Sequence, residues 1–542
     1  MRSKYSKGNI FSDVKVEKFP RHKFNLGHFN KFTCNHGMLY PFLVDDVVPG
    51  DRVDCKTFGR VQLQPLATSS MQNIKCYFRY FYIPYRLVWE NWDKFITQDS
   101  QSELSIKVPY TTLDYDFMNR YSDPGTLLDF MGVNLTNLDS DGEQISYRST
   151  ARLSFNLFRF LSYWLVYDYY FRDENLQEPI LKNGPLETNG FHDRKQFYLT
   201  ELLPVCYEKD YFTTALPWPQ KGEPVNLSAL VFQNTNEPPY YIPRSGEDVS
   251  IYPAMSVSSD SSAVMSLHVV EGELDTNAEY PLYQNPQGFS TSININDLRY
   301  SNALQRFLER KALGGSRPAE FYLSMYGVRV DDLRIGQPLY LGGGSSNISI
   351  TDVASTVDTP DVPQGTLSGN GKTFPAVSFN NPYYCQEFGI ILGLAYIRPE
   401  KNYMQGLCRE MQLFDTLDFY NPLFAHLGEE AVMKSELIIK PDINNDPSVP
   451  EFNDDIFGYQ SRYAYKKWKR NEIHGELKTS LNNWVLSPYE RHIVELNNEF
   501  VMVDHNYNIF AVTDPFIDHY IIELYNDYQK ESSMPNFVIP SL

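Results

Sequence analysis

The sequence predicts a mainly β protein built around a β-sandwich or barrel. Between residues 52 and 64, apolar or small side chains at positions 53, 55, 57, 61 and 63 alternate with charged or polar ones. This period of two with one apolar face is typical of a half-buried strand. Residues 75–84 form the most aromatic run of the chain, and bulky side chains at both parities predict a strand covered on both faces. Aromatic residues make up 15% of the chain, and Tyr and Phe favour strands.

The N-terminal residues 1–37 are predicted to form a basic, extended arm. Residues 1–31 contain eight lysines and arginines, among them Arg2, Lys4 and Lys7, against two acidic residues. These residues carry +6, and since the whole chain carries −19, the remainder carries −25. A basic arm on an acidic body indicates an anionic partner, although charge alone slightly favours a solvated tail.

Residues 38–92 are predicted to hold the two strands just described, as a hairpin-like seed, followed by a short helix with two tryptophans. The apolar face of the first strand should point into the core, which places Arg52, Lys56 and Arg60 outside it. Residues 104–141 follow and are predicted to be rich in loops, because turn sequences such as Asp123-Pro124-Gly125 interrupt them.

Two helices are predicted further along the chain. Within residues 148–172, the side chains of Leu153, Leu157 and Leu161 fall on one helical stripe. The second helix is capped at residue 296 or 297 and is stopped by Gly314-Gly315.

Between these helices, an acidic stretch begins at Gly222 and ends at Asn294. It holds nine acidic residues and one basic residue, Arg244, and it is rich in Ser, Pro and Asn. A stretch of this length predicts a β-rich surface insertion and not a bare loop. Its one-sided charge predicts that it faces solvent.

The core fold is predicted to occupy residues 38–221 and, after the insertion, residues 295–531. This second part should contain a Gly-rich bend at 339–344, a loop at 371–373, a strand buried on both faces at 388–397, and a late strand that starts at Tyr520. The last residues, 532–542, are predicted to be an extended tail.

Motifs of enzymatic catalysis are absent from the sequence. It contains no His-Glu-x-x-His and no Gly-x-Ser-x-Gly. Gly371-Lys372-Thr373 lacks the earlier Gly of a phosphate loop, and Arg148 stands where a calcium loop begun at Asn137 needs a Glu. We therefore expect no catalytic residue, no metal site and no cofactor.

The cysteines and the hydropathy pattern predict a soluble chain that folds in a reducing cytoplasm. The six cysteines are widely spaced, and several lie in strand-like patterns, where an unpaired Cys acts as a small hydrophobe. The sequence has no secretory leader and no apolar run long enough to span a bilayer.

Residues 461–470 are the one constellation that points to a ligand. They hold no acidic residue, three aromatic residues that include Tyr465 and Trp468, and five cations: Arg462, Lys466, Lys467, Lys469 and Arg470. Cations neutralise phosphates, and Tyr and Trp faces can stack on unpaired bases, so the pattern suits single-stranded nucleic acid. A cationic strand edge, or a subunit contact with an acidic loop such as residues 441–455, suits it about equally well.

Several motifs together resemble the major capsid protein of the microviruses, small bacteriophages with single-stranded DNA, and in particular its gokushovirus-like branch. The similar segments occur in family order at residues 24–26, 44–51, 86–92, 171–177, 210–222, 340–344, 424–429 and 457–460. The resemblance is therefore global, and it weakens in 222–294, in 351–381 and after about residue 480.

This resemblance implies an eight-stranded antiparallel jelly roll with long insertions that builds a T=1 icosahedral shell of about sixty copies. It also implies an internal scaffolding protein, a DNA-pilot protein and a small basic DNA-binding protein as partners, with assembly in the bacterial cytoplasm. In gokushovirus-like relatives an insertion projects at the threefold axes as a candidate contact with a host receptor, and by its place in the sequence and its composition 222–294 is expected to be this insertion. The alternative is a β-sandwich that binds or acts on carbohydrate, which the many aromatics and carboxylates would also suit.

Overall fold

The computed structural model of the chain describes residues 20–97, 106–138, 144–181, 195–221, 295–313, 318–326, 336–354, 367–439, 455–486 and 494–536. Its strands are β1 His22–Asn25, β2 His28–Cys34, β3 Leu39–Val47, β4 Arg52–Leu63, β5 Ile74–Pro84, β6 Tyr110–Asp114, β7 Arg152–Asn156, β8 Leu339–Asn347, β9 Ser349–Ala354, β10 Leu367–Thr373, β11 Ala376–Ser378, β12 Tyr383–Tyr384, β13 Gly389–Pro399, β14 Glu429–Met433, β15 Ile456–Ser461 and β16 Tyr520–Ser532. Its α-helices are α1 Tyr85–Val88, α2 Trp92–Thr97, α3 Tyr115–Arg120, α4 Leu127–Phe130, α5 Phe158–Tyr170, α6 Lys195–Thr200, α7 Ile295–Leu313, α8 Pro318–Tyr326 and α9 Asn498–Val501.

The chain divides into two compact units. The first comprises Met1–Pro219 and Gly314–Leu542 and contains the strands given above. The second comprises Gln220–Leu313, of which the structure describes the first two residues and α7. The helix predicted from residue 296 or 297 is confirmed as α7, and it belongs to the same unit as the predicted insertion.

Two large antiparallel sheets and two smaller strand pairs, β6-β7 and β14-β15, build the first unit. In the eight-stranded sheet, β16 pairs with β4 on one side and with β1 and β2 on the other, while β10, β11 and β12 pair with the far edge of β4 and β9 lies beyond β10. The four-stranded sheet has the order β3-β13-β5-β8. The mainly β class is confirmed, and the strand order is consistent with the predicted jelly roll.

Residues 38–92 form three strands and two short helices, so the prediction of a hairpin-like pair of strands is wrong. The strands β3 and β5 belong to the four-stranded sheet, whereas β4, between them in sequence, belongs to the eight-stranded sheet. The two sheets face each other, and crossing from one to the other lets β4 and β5 bury their apolar faces against the same core.

The core between the two sheets confirms the orientation predicted for β4. Its alternate residues Val53, Cys55 and Val61 are buried with Tyr80 of β5 and Ile522 of β16. The opposite face of the strand, which bears Arg52, Lys56 and Arg60, is exposed. Removing such apolar faces from water is the main source of stability in this fold.

A second core covers the other face of the four-stranded sheet, as the aromatic run predicts. There Phe81 and Ile83 of β5 and Leu392 of β13 pack against Phe158 and Trp164 of α5, and against the α1, α2 and α4 region. The strand β13 is buried on both faces, so the prediction for residues 388–397 is confirmed.

Three local predictions are wrong because pairing between distant segments overrides the local pattern. Residues 22–34 of the predicted arm form β1 and β2 on the edge of β16. Leu153 lies in β7, which pairs with β6, and the predicted helix starts only at Phe158. Residues 371–373, predicted as a loop, end β10. The described part of residues 104–141 is rich in loops, as predicted, with the short elements β6, α3 and α4 among them.

The predicted Gly-rich bend at 339–344 is instead part of β8, which pairs with β5. Gly343 has a φ of +151°, and a Cβ at this position would lie 2.2 Å from the carbonyl oxygen of Phe78. Glycine therefore allows the backbones of β8 and β5 to approach closely in a conformation that other residues rarely adopt. The glycines mark a close strand pair and not a turn.

All six cysteines are unpaired thiols, and four of them are buried. Cys76 of β5 is an example, since burial raises the pKa of its thiol to about 12. These thiols act as small apolar side chains, as predicted.

Candidate nucleic-acid interface

The cationic cluster at residues 461–470 begins where β15 ends. Tyr463 has a φ of 61°, in the left-handed region, and a 3-10 turn, Ala464–Lys466, follows it. The backbone N–H of Tyr463 donates to Glu430 Oε2 at 3.1 Å. Glu430 lies on β14, the partner strand of β15, so the strand pair fixes this bend.

Three lysines of the cluster, Lys466, Lys467 and Lys469, are exposed. The ammonium of Lys469 lies 2.8 Å from Glu410 Oε1, and this hydrogen bond raises the pKa of the lysine and lowers that of the glutamate. Both groups are at the surface, where salt screens such a pair and its contribution to stability is small. The lysines therefore stay accessible to an anion.

The two arginines of the cluster are partly buried and serve the chain itself. Arg470 Nε lies 2.5 Å from Glu472 Oε1, and its terminal nitrogens donate to the carbonyl oxygen of Glu436 and to Cys408 Sγ, at 3.0 and 3.3 Å. The guanidinium of Arg462 lies 5.2 Å from the centre of the Tyr463 ring. These bonds tie Arg470 to residues on both sides of β14, with Cys408 before the strand and Glu436 after it, and Glu472 largely neutralises its charge.

The aromatic side chains that were predicted to stack on bases pack inside the protein. Trp468 stacks on Tyr211, with ring centres 5.7 Å apart and planes 15° from parallel, and meets Phe212 edge-on. Tyr465 is buried, and burial raises the pKa of its hydroxyl. In this conformation the three lysines are at the surface, while the packed rings of Tyr465 and Trp468 fix the backbone between them.

A cavity of about 210 Å3 lies beside the cluster and is lined by both rings and cations. At its floor, Arg409 lies 3.0 Å from Glu430 and 3.5 Å from Glu436, and Tyr211 donates a hydrogen bond to Glu436 at 3.3 Å. Burial raises the pKa of the Glu436 carboxyl. Because Arg409 and Arg470 already have carboxylate partners, the arginines of this cavity stabilise the chain itself and do not form an open anion site.

The acidic partners Glu410, Glu430 and Glu436 were not identified from the sequence. They come from segments well before the cluster, and nothing in the local pattern of residues 461–470 indicates them. The acidic loop proposed as an alternative partner, residues 441–455, lies outside the described residues except for Asp455, which pairs with Lys434 at 2.9 Å.

The other predicted site residues also lie outside the described part. These are Arg2, Lys4 and Lys7 of the arm and the insertion at 222–294. Of the described residues, no group of three or more His, Cys, Asp or Glu is arranged to hold a metal ion. No helix in the same residues combines the length and the apolar character that crossing a membrane requires.

The outer face of the eight-stranded sheet carries an aromatic row that the sequence analysis missed. Tyr525 of β16 lies directly opposite Phe29 of β2 and Phe58 of β4, and the Phe29 and Tyr525 ring centres are 4.9 Å apart. Both phenylalanines are exposed, and charged side chains such as Lys31 and Arg60 flank them. Phe58 could have indicated this row from the sequence, because it is an aromatic residue on the otherwise polar side of the alternation in β4.

Comparison with known proteins gives one consistent result. The family model of the phage capsid protein (F protein) matches residues 12–542. Capsid protein VP1 of Chlamydia phage 1 is 28% identical over 603 aligned residues, which cover 98% of each chain. Capsid protein VP1 of Bdellovibrio phage phiMH2K is 28% identical over 558 residues, 98% of this chain and 97% of that one. Capsid protein VP1 of Spiroplasma virus 4 is 25% identical over 537 residues, 93% and 92% of the two chains.

Proposed function

The chain belongs to the phage capsid protein (F protein) family of the microviruses and is a capsid protein of the virion, and from this premise we propose that about sixty copies form a T=1 icosahedral shell around a circular single-stranded DNA genome. The match over residues 12–542 supports this proposal, because it spans both large sheets, the helices that cover the four-stranded sheet and the cationic cluster. It favours a structural, non-enzymatic role over the carbohydrate-binding alternative.

The direct test is assembly of the purified chain, with an internal scaffolding protein if one is required. We expect closed particles of uniform size in electron micrographs. If monodisperse monomers persist under every assembly condition, the shell proposal is wrong.

Contacts with the genome are assigned to Lys466, Lys467 and Lys469, together with Arg2, Lys4 and Lys7 of the arm. The lysines of the cluster are exposed on a backbone that Trp468 and the arginines fix from inside. Such fixed cations can neutralise phosphates without reading base sequence. Stacking of bases on Tyr465 or Trp468 would require these rings to leave their present contacts, so the proposal now rests on charge.

A triple variant, K466A/K467A/K469A, tests this assignment against the control K94A/K107A/K209A, which removes three exposed lysines from elsewhere. If each lysine of the cluster contacts one phosphate, the slope of log binding constant against log salt for single-stranded DNA should fall by about 2 in the first variant only. Particles should still form, with less packaged DNA. Loss of assembly with unchanged DNA content would instead identify the cluster as a subunit contact.

The insertion from 222 to 294 is proposed to face outward and to contact the host receptor. Its nine acidic residues and its Ser- and Asn-rich composition support an exposed position. Exchange of this segment between relatives should transfer host range or adsorption to cells. Unchanged adsorption would remove the receptor role and leave the shell proposal intact.

The remaining partners follow from the family resemblance. We propose that the chain assembles in the bacterial cytoplasm with an internal scaffolding protein, a DNA-pilot protein and a small basic DNA-binding protein. Expression with each of these proteins omitted in turn would show which are required for closed, filled particles. A chain that fills its shell with DNA without any of them would overturn this part of the proposal.

A further inference from the structure

Residues 411–427 expose an unusual amount of apolar surface. Seven large apolar side chains within these 17 residues are each between 54% and 85% exposed: Met411, Phe414, Leu417, Phe419, Tyr420, Leu423 and Leu427. An aromatic side chain presents on the order of 150–250 Å2 and a Leu or Met somewhat less, so the segment leaves on the order of 800 Å2 uncovered. Monomeric soluble proteins rarely expose a contiguous apolar patch of that size.

The backbone of this segment is held in place while its apolar side chains point outward. The carboxylate of Asp418 accepts hydrogen bonds from the N–H groups of Phe414 and Asp415, at 3.0 and 2.9 Å, and these bonds lower its pKa. The side chain of Asn421 accepts the N–H of Leu423 at 3.0 Å and begins a 3-10 turn, Pro422–Phe424. A segment that is ordered before binding loses less entropy when it docks.

The segment is also joined to the cationic cluster. The Asn421 N–H donates to the hydroxyl of Tyr463 at 3.3 Å, and the rings of Tyr420 and Tyr463 meet edge-on with centres 4.9 Å apart. Tyr463 is itself buried and fixed by Glu430. The exposed apolar residues therefore project from a base anchored in the core.

We propose that residues 411–427 are a contact surface for a second copy of this chain. A standard protein interface buries about 800 Å2 on each partner, which this segment supplies almost alone. Every copy in a closed symmetric shell must carry such patches and meet a different surface of its neighbour. This inference rests on the proposed assembly into a shell.

Charge distinguishes this occupant from a polyanion. Residues 411–433 contain no lysine or arginine, and Asp415 and Asp418 lie among the exposed apolar side chains. The segment's own side chains therefore offer no cation to a nucleic acid or an anionic membrane, whereas an apolar patch with a few polar groups is typical of a protein interface. The internal scaffolding protein is the other protein that could dock, and the experiment separates the two.

The first test is the double variant F414D/L423D. Both side chains are more than 80% exposed, so the thermal unfolding of the unassembled chain should remain that of the parent. Particle yield should fall at least tenfold, because charges would have to be buried at each contact. The control M71D changes a similarly exposed but separate apolar residue and should assemble like the parent.

The second test identifies the occupant directly. The photoreactive p-benzoylphenylalanine replaces Phe414, and particles are assembled from a mixture of isotope-labelled and unlabelled chains before irradiation. Cross-links between labelled and unlabelled peptides of this chain would support the inference. Cross-links to the scaffolding protein alone, links confined to one chain, or normal particles from F414D/L423D would overturn it. If the parent chain itself forms no particles, the shell proposal has failed and the inference fails with it.

Discussion

The two large sheets differ in how many of their faces the chain itself covers. In the four-stranded sheet, β13 is buried at all but one of its positions, because the inter-sheet core lies on one side and the helices on the other. In the eight-stranded sheet, the equally central β16 alternates along its whole length between buried and less buried residues. Its outer face carries charges and the aromatic row of Phe29, Tyr525 and Phe58.

This difference separates residues that stabilise the fold from residues that are available for contacts with other molecules. The buried side chains of the four-stranded sheet pack against partners within the chain, so changes there should affect folding. Outward side chains of the eight-stranded sheet contribute little to the single chain, and their effects should become visible when the chain meets DNA or another copy. The contrast therefore predicts where stability and assembly can be altered independently.

The largest expected effect on stability comes from Phe81 of the four-stranded sheet, and Phe58 of the eight-stranded sheet provides the comparison. F81A empties a buried site of β5 where the rings of Tyr170, Phe171 and Tyr340 meet, and should lower the free energy of unfolding by about 3–5 kcal/mol. F58A removes an exposed ring and should change it by no more than about 0.5 kcal/mol. Urea unfolding of the unassembled chain measures both. Equal losses would mean that the outer sheet face is packed within the single chain.

The second prediction concerns an ion pair network where β16 reaches the edge of the core. The ammonium of Lys530, 6% exposed, lies 3.0 Å from Asp45 Oδ2 and 3.5 Å from Asp51 Oδ2 and donates to the carbonyl oxygen of Asp46 at 2.9 Å. K530M leaves two carboxylates without their cation and should cost about 3 kcal/mol.

The matched control for this network is K530M/D51N, which removes the more buried carboxylate as well. Because the loss in K530M arises from an unpaired buried charge, the second change should recover part of it, as measured by the same unfolding curves. A double variant that loses the sum of both single effects would show that the network is not coupled.

The third prediction concerns the pH dependence of stability and His36, which lies in the connection from β2 of the eight-stranded sheet to β3 of the four-stranded sheet. Its Nε2 donates to the carbonyl oxygen of Asp504, and its Nδ1 accepts from the hydroxyl of Tyr520, both at 3.2 Å. Burial lowers the pKa of His36 to about 3, whereas an unfolded His titrates near pH 6.5. Below pH 6.5 the unfolded chain binds a proton that the folded chain does not, so stability falls as the pH falls towards 3.

For a group with these pKa values, the loss at pH 5 relative to pH 7.5 should be about 2 kcal/mol. Variant H36Q should reduce the pH dependence of the unfolding free energy by that amount. Burial lowers the pKa of His505 and of His519 as well, so some dependence of the same sign should remain in H36Q. An unchanged profile in H36Q would show that His36 does not act in this way.

The number of covered faces could be predicted from the sequence, since β4 and β16 alternate and β5 and β13 do not. The period of side chains along a strand is local information. The sheet that each strand joins is not local information, because β4 pairs with β16, which lies more than 450 residues later in the sequence. The hairpin of β4 with β5 was predicted only because the two strands are neighbours in the sequence.

The same limit applies to the candidate site. The five cations of residues 461–470 are adjacent in the sequence and could be noticed there, but their exposure depends on partners from other segments. Glu472 and the Glu436 carbonyl hold Arg470, Tyr211 covers Trp468, and only the lysines remain at the surface. The exposed apolar segment at 411–427 has no helical or strand period, so its outward side chains could not be predicted.

The smallest expected effect lies on β16 itself, on the face opposite to Lys530. Glu523 pairs with Lys31 of β2 at 3.0 Å, but the two side chains are 46% and 71% exposed. Water and salt screen such a pair, so E523Q should change the unfolding free energy by less than about 0.5 kcal/mol, and by nothing measurable at 1 M salt. A loss of 2 kcal/mol, comparable to that of K530M, would mean that the outer face is desolvated in the single chain. The contrast between the two sheets would then describe the pattern of residues and not their energetics.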